Sequence, residues 1–506
     1  MIELNFFLSC VVFGIVLIGW LIYKVYIWPY YISSLRNVPG PPSENLLYGS
    51  FKRLLFEESG EPYLRWVKQY GNFAKYHGLL NKPILLITDP KIIQEIFSNL
   101  SYEFIKPHQN LADFKAFLGQ GVALVEGETH KRQRKMMNPA FTHTNIKNMI
   151  PTFIRIASKL KNLIEDEVNK GESKINLSPK ISKTTLDIIG LVGFNHEFNS
   201  LTSPSELAEV YESLVNVKVS ILPVIITLLS YYIPFVRKIP IGINNNFNNA
   251  CKVIDRESRK LVEEKYRDYE DNKLNGNDLL SLLIKSNKNL PIEEKMTDDE
   301  LKFQIMTFLF AGHETSSTTT CWALLLLAQH PLEQDLLREE LVKAFPDKSK
   351  FNPTYDEINS LEYLNNIIKE TLRLISPVVN VQRYNTKDRI LSGQFIPKNT
   401  IIDIPISTIH KLPSIWGPTA ENFDPKRWSD PSLTKNITNY SYFPFVTGAR
   451  SCIGNKLALS EIKVLLSILV RNFVFQPVEG FHIKKKPGFF SKPDPYLELT
   501  VSNVEV

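Results

Sequence analysis

The chain has 506 residues, of which 43% are hydrophobic and 22% are charged, a balance that is typical of a globular protein and excludes bulk disorder. Its 59 basic and 53 acidic residues leave a net charge of +6. This excess is too small to indicate a nucleic-acid-binding protein, although it suits a neutral or anionic membrane surface or an acidic partner.

An apolar segment at the N-terminus predicts a transmembrane helix. The twenty residues of Leu4–Tyr23 include only Asn5, Ser9 and the final tyrosine as polar side chains. Twenty helical residues rise about 30 Å, which is the thickness of the hydrocarbon core of a bilayer. Because Glu3 precedes the segment and Lys24 follows it, the positive-inside rule leaves the rest of the chain in the cytoplasm. A cleaved signal peptide is the alternative, but the run is too long and its positive charge lies on the wrong side.

A proline-rich segment follows the anchor. Val38–Pro42 has three prolines in four residues, which fix φ and prevent the anchor helix from continuing into the next element. We expect a stiff elbow that sets the pose of the protein on the membrane. Because no second linker and no internal repeat follows, we divide the chain into an anchor (1–28), a linker (29–42) and one large domain (43–506).

The pattern of the large domain predicts a mainly α-helical fold with small β-sheets. Gly71–Asp89 has two apolar runs on either side of turn-forming residues, as in a β-hairpin. Other strand patterns lie near Arg389–Pro405 and at the C-terminal end, and most of the rest has helical spacing. The longest predicted helix runs from about Thr297 to Gln329, and its length of about 50 Å would cross the whole domain.

A second apolar stretch, Val219–Val236, carries no charge over eighteen residues. Pro223 and Pro234 break it into pieces that are short for a membrane span. A buried core helix is one interpretation of this stretch. We favour an element that dips into the membrane surface, because the anchor already holds the protein on lipid. A second membrane span is the least favoured of the three.

The long predicted helix contains an unusual polar segment. Ala311 and Thr315 share one face, while Gly312 costs about 1 kcal/mol relative to alanine in mid-helix. An adjacent acid and alcohol, Glu314 and Thr315, are unexpected in a core. If Thr315 hydrogen-bonds a backbone carbonyl, the helix opens a groove with room for a small ligand and a water. His313 does not begin a zinc-binding HExxH site, because position 317 is serine, and we expect it to be a bystander.

The strongest chemical signal surrounds Cys452, although a lone cysteine is more often a small buried hydrophobe than a ligand. Gly448 permits a tight turn that aims backbone N–H groups at the sulfur, and Gly454 removes a side chain where a flat macrocycle would approach. A helical pattern starts directly afterwards, so the sulfur lies at a positive helix end that favours the thiolate. Phe445 could shield this sulfur from water, and Arg450 could pair with a haem propionate. None of the four cysteines shares a CxxC spacing with another, so any metal is bound by one cysteine.

The segment Phe445–Gly454 closely resembles the haem-binding loop of the cytochrome P450 family, FxxGxRxCxG, at all five fixed positions. Other segments resemble motifs of this family in the same order, from residue 38 to the C-terminus. AGHET at Ala311 resembles the oxygen-binding motif, and Glu370–Arg373 resembles the ExxR element, whose structural partner arginine corresponds to Arg427. The resemblance implies the cytochrome P450 fold, with haem b between the long helix and the helix after Cys452, whose thiolate is the fifth ligand of the iron.

The resemblance also implies roles for individual residues. Glu314 and Thr315 would deliver protons to bound O2, and Ala311 would lie beside it. Arg134 lies in a segment that resembles the family's WxxxR helix, with His130 in place of the tryptophan. The cofactor-binding residues implied by the resemblance and by the loop are Cys452 as the metal ligand, Phe445, Gly448, Arg450, Gly454, Ala311, His130, Arg134, Arg383 and His410.

Two further predictions, the role of His410 and a docking face of lysines, have simpler alternatives. His410 stands where relatives often place a propionate-binding histidine, and a satisfied surface histidine is the alternative. Lys131 and Lys135 form a stripe on the predicted helix, next to the stripe formed by His130 and Arg134. Together with Lys456 and Lys463 they suggest a docking face for an acidic electron donor. Solvated charge alone is the alternative for these lysines.

The resemblance implies a monooxygenase in which haem carries the oxygen chemistry. NADPH–cytochrome P450 reductase, with cytochrome b5 as a further donor, would supply electrons from NADPH. The anchor and the apolar stretches favour a small, apolar, lipid-like substrate, contacted by residues 101–125 and 210–242, and no nucleic acid. The expected location is the endoplasmic reticulum membrane, with a single-pass N-terminal anchor in the lipid bilayer and a cytoplasmic catalytic domain.

Two alternatives keep the haem and change its use. A haem-thiolate isomerase or dehydratase of hydroperoxides would need neither O2 nor a reductase. The pair of Glu314 and Thr315 argues against it, because such an enzyme has no use for a proton relay. A haem-based sensor or carrier would not turn over a substrate. Substrate-dependent consumption of NADPH distinguishes the three.

Overall fold

The structure is mainly α-helical with small β-sheets, which confirms the predicted fold class. The computed structural model describes residues 2–215, 222, 226, 229, 230, 233–271, 276, 278–347 and 350–504. The α-helices in these ranges are α1 (Ile2–Ile22), α2 (Phe51–Phe56), α3 (Glu61–Tyr70), α4 (Pro90–Gln94), α5 (Ala112–Leu118), α6 (Gly127–Met137), α7 (His143–Lys147), α8 (Ile150–Asn169), α9 (Ser178–Phe194), α10 (Glu206–Val215), α11 (Gly242–Glu270), α12 (Leu279–Lys288), α13 (Asp298–Gln329), α14 (Pro331–Ala344), α15 (Tyr355–Ser360), α16 (Glu362–Leu374), α17 (Ile406–Ile409), α18 (Pro413–Trp416), α19 (Pro431–Thr434) and α20 (Asn455–Asn472). Shorter helical turns include Glu95–Asn99, His108–Leu111, Pro234–Lys238, Pro425–Ser429 and Gly448–Arg450.

The strands lie at the edges of the helical body. They are β1 (Phe73–His77), β2 (Pro83–Ile87), β3 (Phe104–Ile105), β4 (Lys174–Asn176), β5 (Val381–Asn385), β6 (Arg389–Leu391), β7 (Gln394–Ile396), β8 (Ile401–Ile404), β9 (Phe473–Pro477), β10 (Lys484–Lys485), β11 (Pro493–Asp494) and β12 (Glu498–Asn503). Within the described ranges they form a five-stranded sheet in the order β1-β2-β8-β5-β3, a three-stranded sheet in the order β4-β12-β9, and the pairs β6-β7 and β10-β11. The strand patterns predicted near 389–405 and at the C-terminal end are confirmed.

The predicted hairpin at 71–89 is also confirmed. β1 and β2 pair in antiparallel register with Phe73 opposite Ile87. The turn between them uses left-handed backbone at Leu80 and Asn81, with φ of 52° and 56°. β2 then pairs in parallel with β8, which ties this hairpin to the C-terminal half of the chain.

The anchor segment is helical and meets the domain before the proline-rich elbow. Among the described residues, one helix, Phe6–Ile32, is long and apolar enough by length and composition to cross a bilayer. It consists of α1 and the π-helical turns that follow it. Val25 and Pro29 are buried near its end, and Asn81 Nδ2 donates to the carbonyl oxygen of Val25 at 2.7 Å. The segment before Val38–Pro42 is therefore already packed on the domain.

The predicted long helix is confirmed as α13, which runs through the core. Thr297 caps its N-terminus in a reciprocal pair with Glu300. Nearly all of its side chains between Leu301 and Ala328 are buried, and it packs against α9 and α20. This burial places the AGHET segment at the centre of the molecule.

The apolar stretch 219–236 lies partly outside the described residues. Of the positions that the structure describes, Leu222, Leu229, Ile233 and Phe235 are exposed, whereas Ile226 is buried. The membrane-dipping role of this stretch stays a prediction.

Candidate active site

The loop before α20 holds Cys452 just ahead of the helix. Gly448 has φ +75°, and a Cβ atom at this position would overlap the carbonyl oxygen of Phe97. The close approach and the left-handed backbone therefore both require glycine. The N–H of Cys452 donates to the carbonyl oxygen of Phe445 at 2.8 Å, which closes the loop, and α20 begins at Asn455.

Cys452 combines an accessible side chain with a desolvated thiol. Its side chain is exposed, yet burial raises the pKa of its thiol, while the backbone N–H of Gly454 and the charge of Arg134 act to lower it. A Cβ atom at Gly454 would meet only Phe141, at 3.9 Å, so the backbone beside the sulfur is open. These features fit a flat group bound to a thiolate.

α13 keeps accessible surface at a few positions within its buried stretch. Between Leu301 and Ala328, the side chains that keep accessible surface are Phe303, Ala311, Gly312 and Thr315. Thr315 Oγ1 donates to the carbonyl oxygen of Ala311 at 2.9 Å, as the predicted groove requires. The space at Gly312 has another use, because a Cβ atom there would lie 2.9 Å from Ile189 of α9. Close helix packing therefore explains why glycine stands here despite its cost in mid-helix.

Glu314 lies beside this accessible face and not on it. It is buried, and its carboxylate lies 3.2 Å from His313 Nε2 and 2.8 Å from Lys492 Nζ. Burial raises the pKa of Glu314, but the hydrogen bond and charge of His313, with the charge of Lys492, outweigh it and lower the pKa to about 2. The expectation that His313 is a bystander is wrong, because its ring contacts the acid directly.

Several cationic side chains gather near the cysteine loop. Arg134 Nη1 donates to the carbonyl oxygen of Ser451 at 2.6 Å, and the charge of Arg134 acts on the thiol of Cys452. Arg450 Nη1 donates to the carbonyl oxygen of Val125 at 2.9 Å, and its guanidinium pairs with Glu126. Three of the predicted cofactor-binding residues, Cys452, Arg134 and Arg450, thus lie in one region.

Lys106 is a member of this cluster that the sequence analysis missed. Burial lowers the pKa of Lys106 well below its usual value, and the charges of Arg383 and Arg450 lower it further. Arg383 is itself buried, with its guanidinium 5.5 Å from the ring centre of Phe97, and burial lowers its pKa to about 10. Lys106 Nζ also lies 3.7 Å from the carboxylate of Glu126, which pairs with Arg450. The cations Lys106, Arg383 and Arg450 outnumber this carboxylate, and an excess of positive charge in a desolvated site fits an anionic ligand, such as the two carboxylates of haem. No motif marks Lys106, so only the fold brings it to this position.

His130 lies at the edge of the same cluster. It is buried, and its Nδ1 lies 3.2 Å from the hydroxyl of Tyr102. Burial, with the charges of Lys106 and Arg134, lowers the pKa of His130 to about 4. A neutral ring with one nitrogen engaged by Tyr102 keeps the other nitrogen for a further hydrogen bond.

His410 has a different environment. It is fully buried, its Nε2 accepts the N–H of Phe443 at 3.0 Å, and its Nδ1 lies 3.4 Å from Ser376 Oγ. Burial, with the charge of Arg373, lowers its pKa to about 3. Both ring nitrogens of His410 contact other groups of the protein. His410 therefore supports the segment that leads to Cys452. It is neither free to bind a propionate nor a surface histidine.

The predicted structural charges form a buried network. Arg373 pairs with Glu370 through two bonds of 2.8 and 2.7 Å, and Arg427 Nε lies 3.5 Å from the same carboxylate. Trp428 Nε1 donates to it at 3.0 Å. Arg373 Nη1 also donates to the carbonyl oxygen of His410 at 2.8 Å, which links the network to the segment that supports the cysteine loop.

The expected docking lysines do not form one surface. Lys131 and Lys135 are exposed and pair with acidic side chains, and Lys456 is exposed. Lys463 is buried and its ammonium donates to Asn359. Burial, with the charge of Lys369, lowers its pKa to about 8. The prediction that Lys463 belongs to the docking face is therefore wrong, because its side chain is buried and a partner protein cannot contact it.

Comparison with known proteins identifies a family. The family model described as cytochrome P450 matches residues 39–501. Cytochrome P450 monooxygenase 205 of Postia placenta is 36% identical over 494 residues, which cover 91% of this chain and 90% of that protein. Cytochrome P450 monooxygenase sphH of Aspergillus fumigatus is 32% identical over 501 residues, with 94% and 91% covered. Cytochrome P450 monooxygenase claQ of Ampulloclitocybe clavipes is 30% identical over 469 residues, with 87% and 86% covered.

Proposed function

Because the chain belongs to the cytochrome P450 family of haem monooxygenases, we propose that it inserts one oxygen atom of O2 into an apolar, lipid-like molecule with electrons that a reductase takes from NADPH. The observation that carries the proposal is the Cys452 thiol, which is accessible and desolvated at the start of α20. Bound haem would supply the oxygen activation. The chain's own contribution is the ligand, the hold on the cofactor, the proton supply and the exclusion of water.

The cofactor would be held from two sides. Cys452 Sγ would bind the iron, and the N–H of Gly454 would stabilise its negative charge. Arg134, Arg450 and Lys106 would hold the propionates, together with Arg383, while Phe445 would shield the sulfur. Charge-assisted hydrogen bonds of this kind are stronger than those between neutral groups, and the desolvation of the cluster increases their value.

Proton delivery would use the accessible face of α13. Thr315 holds its hydroxyl toward Ala311 and could pass a proton along a water to the oxygen side of the site. Glu314 would be the acid that resupplies it. An isomerase of hydroperoxides has no use for such a pair, so its presence favours the monooxygenase.

An aromatic wall supports an apolar substrate. The ring of Phe114 lies 5.3 Å from that of Phe489 and 6.2 Å from that of Phe310, and Phe490 lies 5.6 Å from Phe310. Phe489 is 43% exposed, so this wall offers apolar surface that the protein itself does not cover. Phe114 falls in the predicted substrate-contact region 101–125.

The helix Phe6–Ile32 supports a membrane location, and we propose a single-pass anchor (1–28), a linker (29–42) and a cytoplasmic catalytic domain (43–506) at the endoplasmic reticulum. NADPH–cytochrome P450 reductase, with cytochrome b5 as a further donor, would dock near the exposed Lys131 and Lys135. A lipid bilayer would deliver the apolar substrate.

The test is turnover of the full-length protein reconstituted with reductase in lipid vesicles. A panel of fatty acids, sterols and terpenoids is screened by ligand-induced shifts of the Soret band, and the binders are then assayed for NADPH consumption and product. We expect at least one lipid to raise NADPH consumption and to gain one oxygen atom from labelled O2. Product formed from a hydroperoxide without NADPH would contradict the proposal and support the isomerase. Binding with no turnover of any kind would support the sensor or carrier.

A further inference from the structure

The side chains of His313 and Lys492 face the Glu314 carboxylate on the flank of α13. Glu314 is 1% exposed, with His313 Nε2 at 3.2 Å and Lys492 Nζ at 2.8 Å. The other ring nitrogen of His313, Nδ1, lies 2.5 Å from the carbonyl oxygen of Leu309. The His313 ring thus lies between the carbonyl oxygen of Leu309 and the Glu314 carboxylate, with one nitrogen facing each.

Lys492 reaches Glu314 from backbone that is fixed to α13. Trp322 Nε1, on α13, donates to the carbonyl oxygen of Ser491, and the N–H of Ser491 donates to the carbonyl oxygen of Pro377 at 3.0 Å. The residue before Lys492 is therefore held on both sides. The ion pair itself is almost completely desolvated at its carboxylate end.

The same loop contributes to the aromatic wall. Phe490 packs against Phe310 of α13, and Phe489 packs against Phe114 while keeping exposed surface. A molecule that contacts Phe489 therefore touches the loop a few residues from Lys492. Phe489, which a substrate would contact, and Lys492, which pairs with Glu314, therefore lie within a few residues of each other.

Glu314 cannot reach the accessible face of α13 while this ion pair is intact. Ala311 and Thr315 have accessible surface there, whereas Glu314 has almost none. A helix rotates about 100° per residue, so Glu314 projects to one side of the face that Ala311 and Thr315 share. Its carboxylate must leave Lys492 before it can exchange a proton with a water near Thr315.

Building on the proposed function, we infer that Lys492, assisted by His313, is a positioning residue for proton delivery. Lys492 holds Glu314 on the flank of α13, and substrate contact at Phe489 releases it toward Thr315. The step moves protons only. The released carboxylate takes up a proton that bulk solvent supplies through a chain of waters, donates it to the oxygen side of the site through Thr315, and returns to Lys492 as a carboxylate.

Other titratable groups lie near this cluster. Tyr211 of α10 is buried, and burial followed by the charge of Glu314 raises the pKa of its phenol. The charge of Glu314 also acts to raise the pKa of Lys486 in the C-terminal loop and that of Cys321 on α13. Burial raises the pKa of the Cys321 thiol to about 12, so this group is neutral near pH 7. Among the described residues, His313 and Lys492 are the basic side chains within 4 Å of the Glu314 carboxylate.

The test uses the full-length holoenzyme and a double-mutant cycle. The variants are Lys492→Met, Glu314→Gln, the double variant, and Lys492→Arg as the conservative replacement. Lys484→Met is the matched control, because Lys484 is an exposed lysine on the same C-terminal segment. Each variant is first checked for the reduced carbon monoxide spectrum of the wild type. Two quantities are then measured: product formed per NADPH, and the infrared band of the protonated Glu314 carboxyl as a function of pH in the resting enzyme.

We expect Lys492→Met to move the appearance of the Glu314 band upward by about one pH unit, a tenfold change in proton affinity. It should also raise NADPH consumption without substrate, because Glu314 is no longer held aside. Lys492→Arg and Lys484→Met should resemble the wild type, and the double variant should equal Glu314→Gln.

An unchanged infrared titration in Lys492→Met would overturn the inference. The inference would also fail if Lys492→Met lowered product per NADPH by the same factor in the wild type and in the Glu314→Gln variant, since Lys492 would then act without Glu314. Failure of the wild type to form product from any lipid would instead overturn the proposed function. In that case the infrared titration would still report whether Lys492 holds the carboxylate.

Discussion

In the proposed mechanism, proton delivery depends on Thr315. Its hydroxyl donates to the carbonyl oxygen of Ala311 at 2.9 Å, on the accessible face that these two residues share. Thr320 makes the same kind of bond, to the carbonyl oxygen of Ser316 at 2.9 Å, but it is completely buried. The two threonines therefore have the same local bond and differ in access to the site.

Replacing Thr315 with alanine should uncouple the reaction while leaving the cofactor in place. Removing the hydroxyl interrupts the proton path, and we expect product per NADPH to fall roughly tenfold or more, with the difference released as peroxide. Thr320→Ala is the control and should stay coupled. Full coupling in Thr315→Ala would remove this hydroxyl from the path.

Lys106 belongs to no sequence motif, and its proposed contact with the haem propionates can be tested by substitution. We expect Lys106→Gln to weaken the hold on haem by about 1.5 kcal/mol, the value of a hydrogen bond to a charged group, which is about a tenfold faster loss of haem to an acceptor protein. Lys115→Gln is the control, because Lys115 contacts His108 and not the cationic cluster. A rate of haem loss equal to that of the control would exclude Lys106 from the propionate site.

Elements with a regular pattern could be predicted from the sequence, and contacts between distant elements could not. The hairpin at 71–89 and the helix α13 follow from periodicity and capping, which act within a few residues. The cysteine loop follows from fixed spacings. The pairing of Glu314 with Lys492 and the burial of Lys463 depend on how α13 and α20 meet other parts of the fold, so local patterns carry no signal for them.

The contact between α13 and α20 contains a buried acid with a testable pH dependence. Burial raises the pKa of Glu461 to about 8, although the neighbouring Ser316 hydroxyl acts to lower it. Between the unfolded pKa near 4.3 and the folded value, the folded state holds a proton that the unfolded state has released, so stability falls as pH rises.

Glu461→Gln should remove this penalty, because the amide stays neutral. We expect the variant to gain stability relative to the wild type as pH rises from about 5 to 8, at up to about 1.4 kcal/mol per pH unit, with no change in the difference above that range. Chemical denaturation at several pH values measures it. A difference that is constant over pH 5 to 8 would contradict the raised pKa.

At the scale of the whole molecule, the anchor and the domain form one connected unit. The helix Phe6–Ile32 ends against the domain, where Asn81 bonds the Val25 carbonyl, and the exposed apolar side chains of Leu222, Ile233 and Phe235 lie elsewhere in the chain. The proposed anchor and these exposed side chains therefore belong to two segments of the chain, and their contacts with lipid can be tested separately.

Deleting residues 2–22, which form α1, should convert an integral membrane protein into a peripheral one. We expect alkaline carbonate to extract the truncated protein from membranes but not the full-length protein, while both keep the same carbon monoxide spectrum. Resistance of the truncated protein to carbonate would show that 219–236 or another segment spans the bilayer.

The central claim is the bond between the sulfur of Cys452 and haem iron, and the reduced carbon monoxide difference spectrum tests it most directly. We predict a thiolate-type Soret band in the wild type and in Cys251→Ala, whose half-buried cysteine lies on α11, and no such band in Cys452→Ala. A thiolate-type band that survives in Cys452→Ala would contradict the account, as would a wild-type protein that binds no haem.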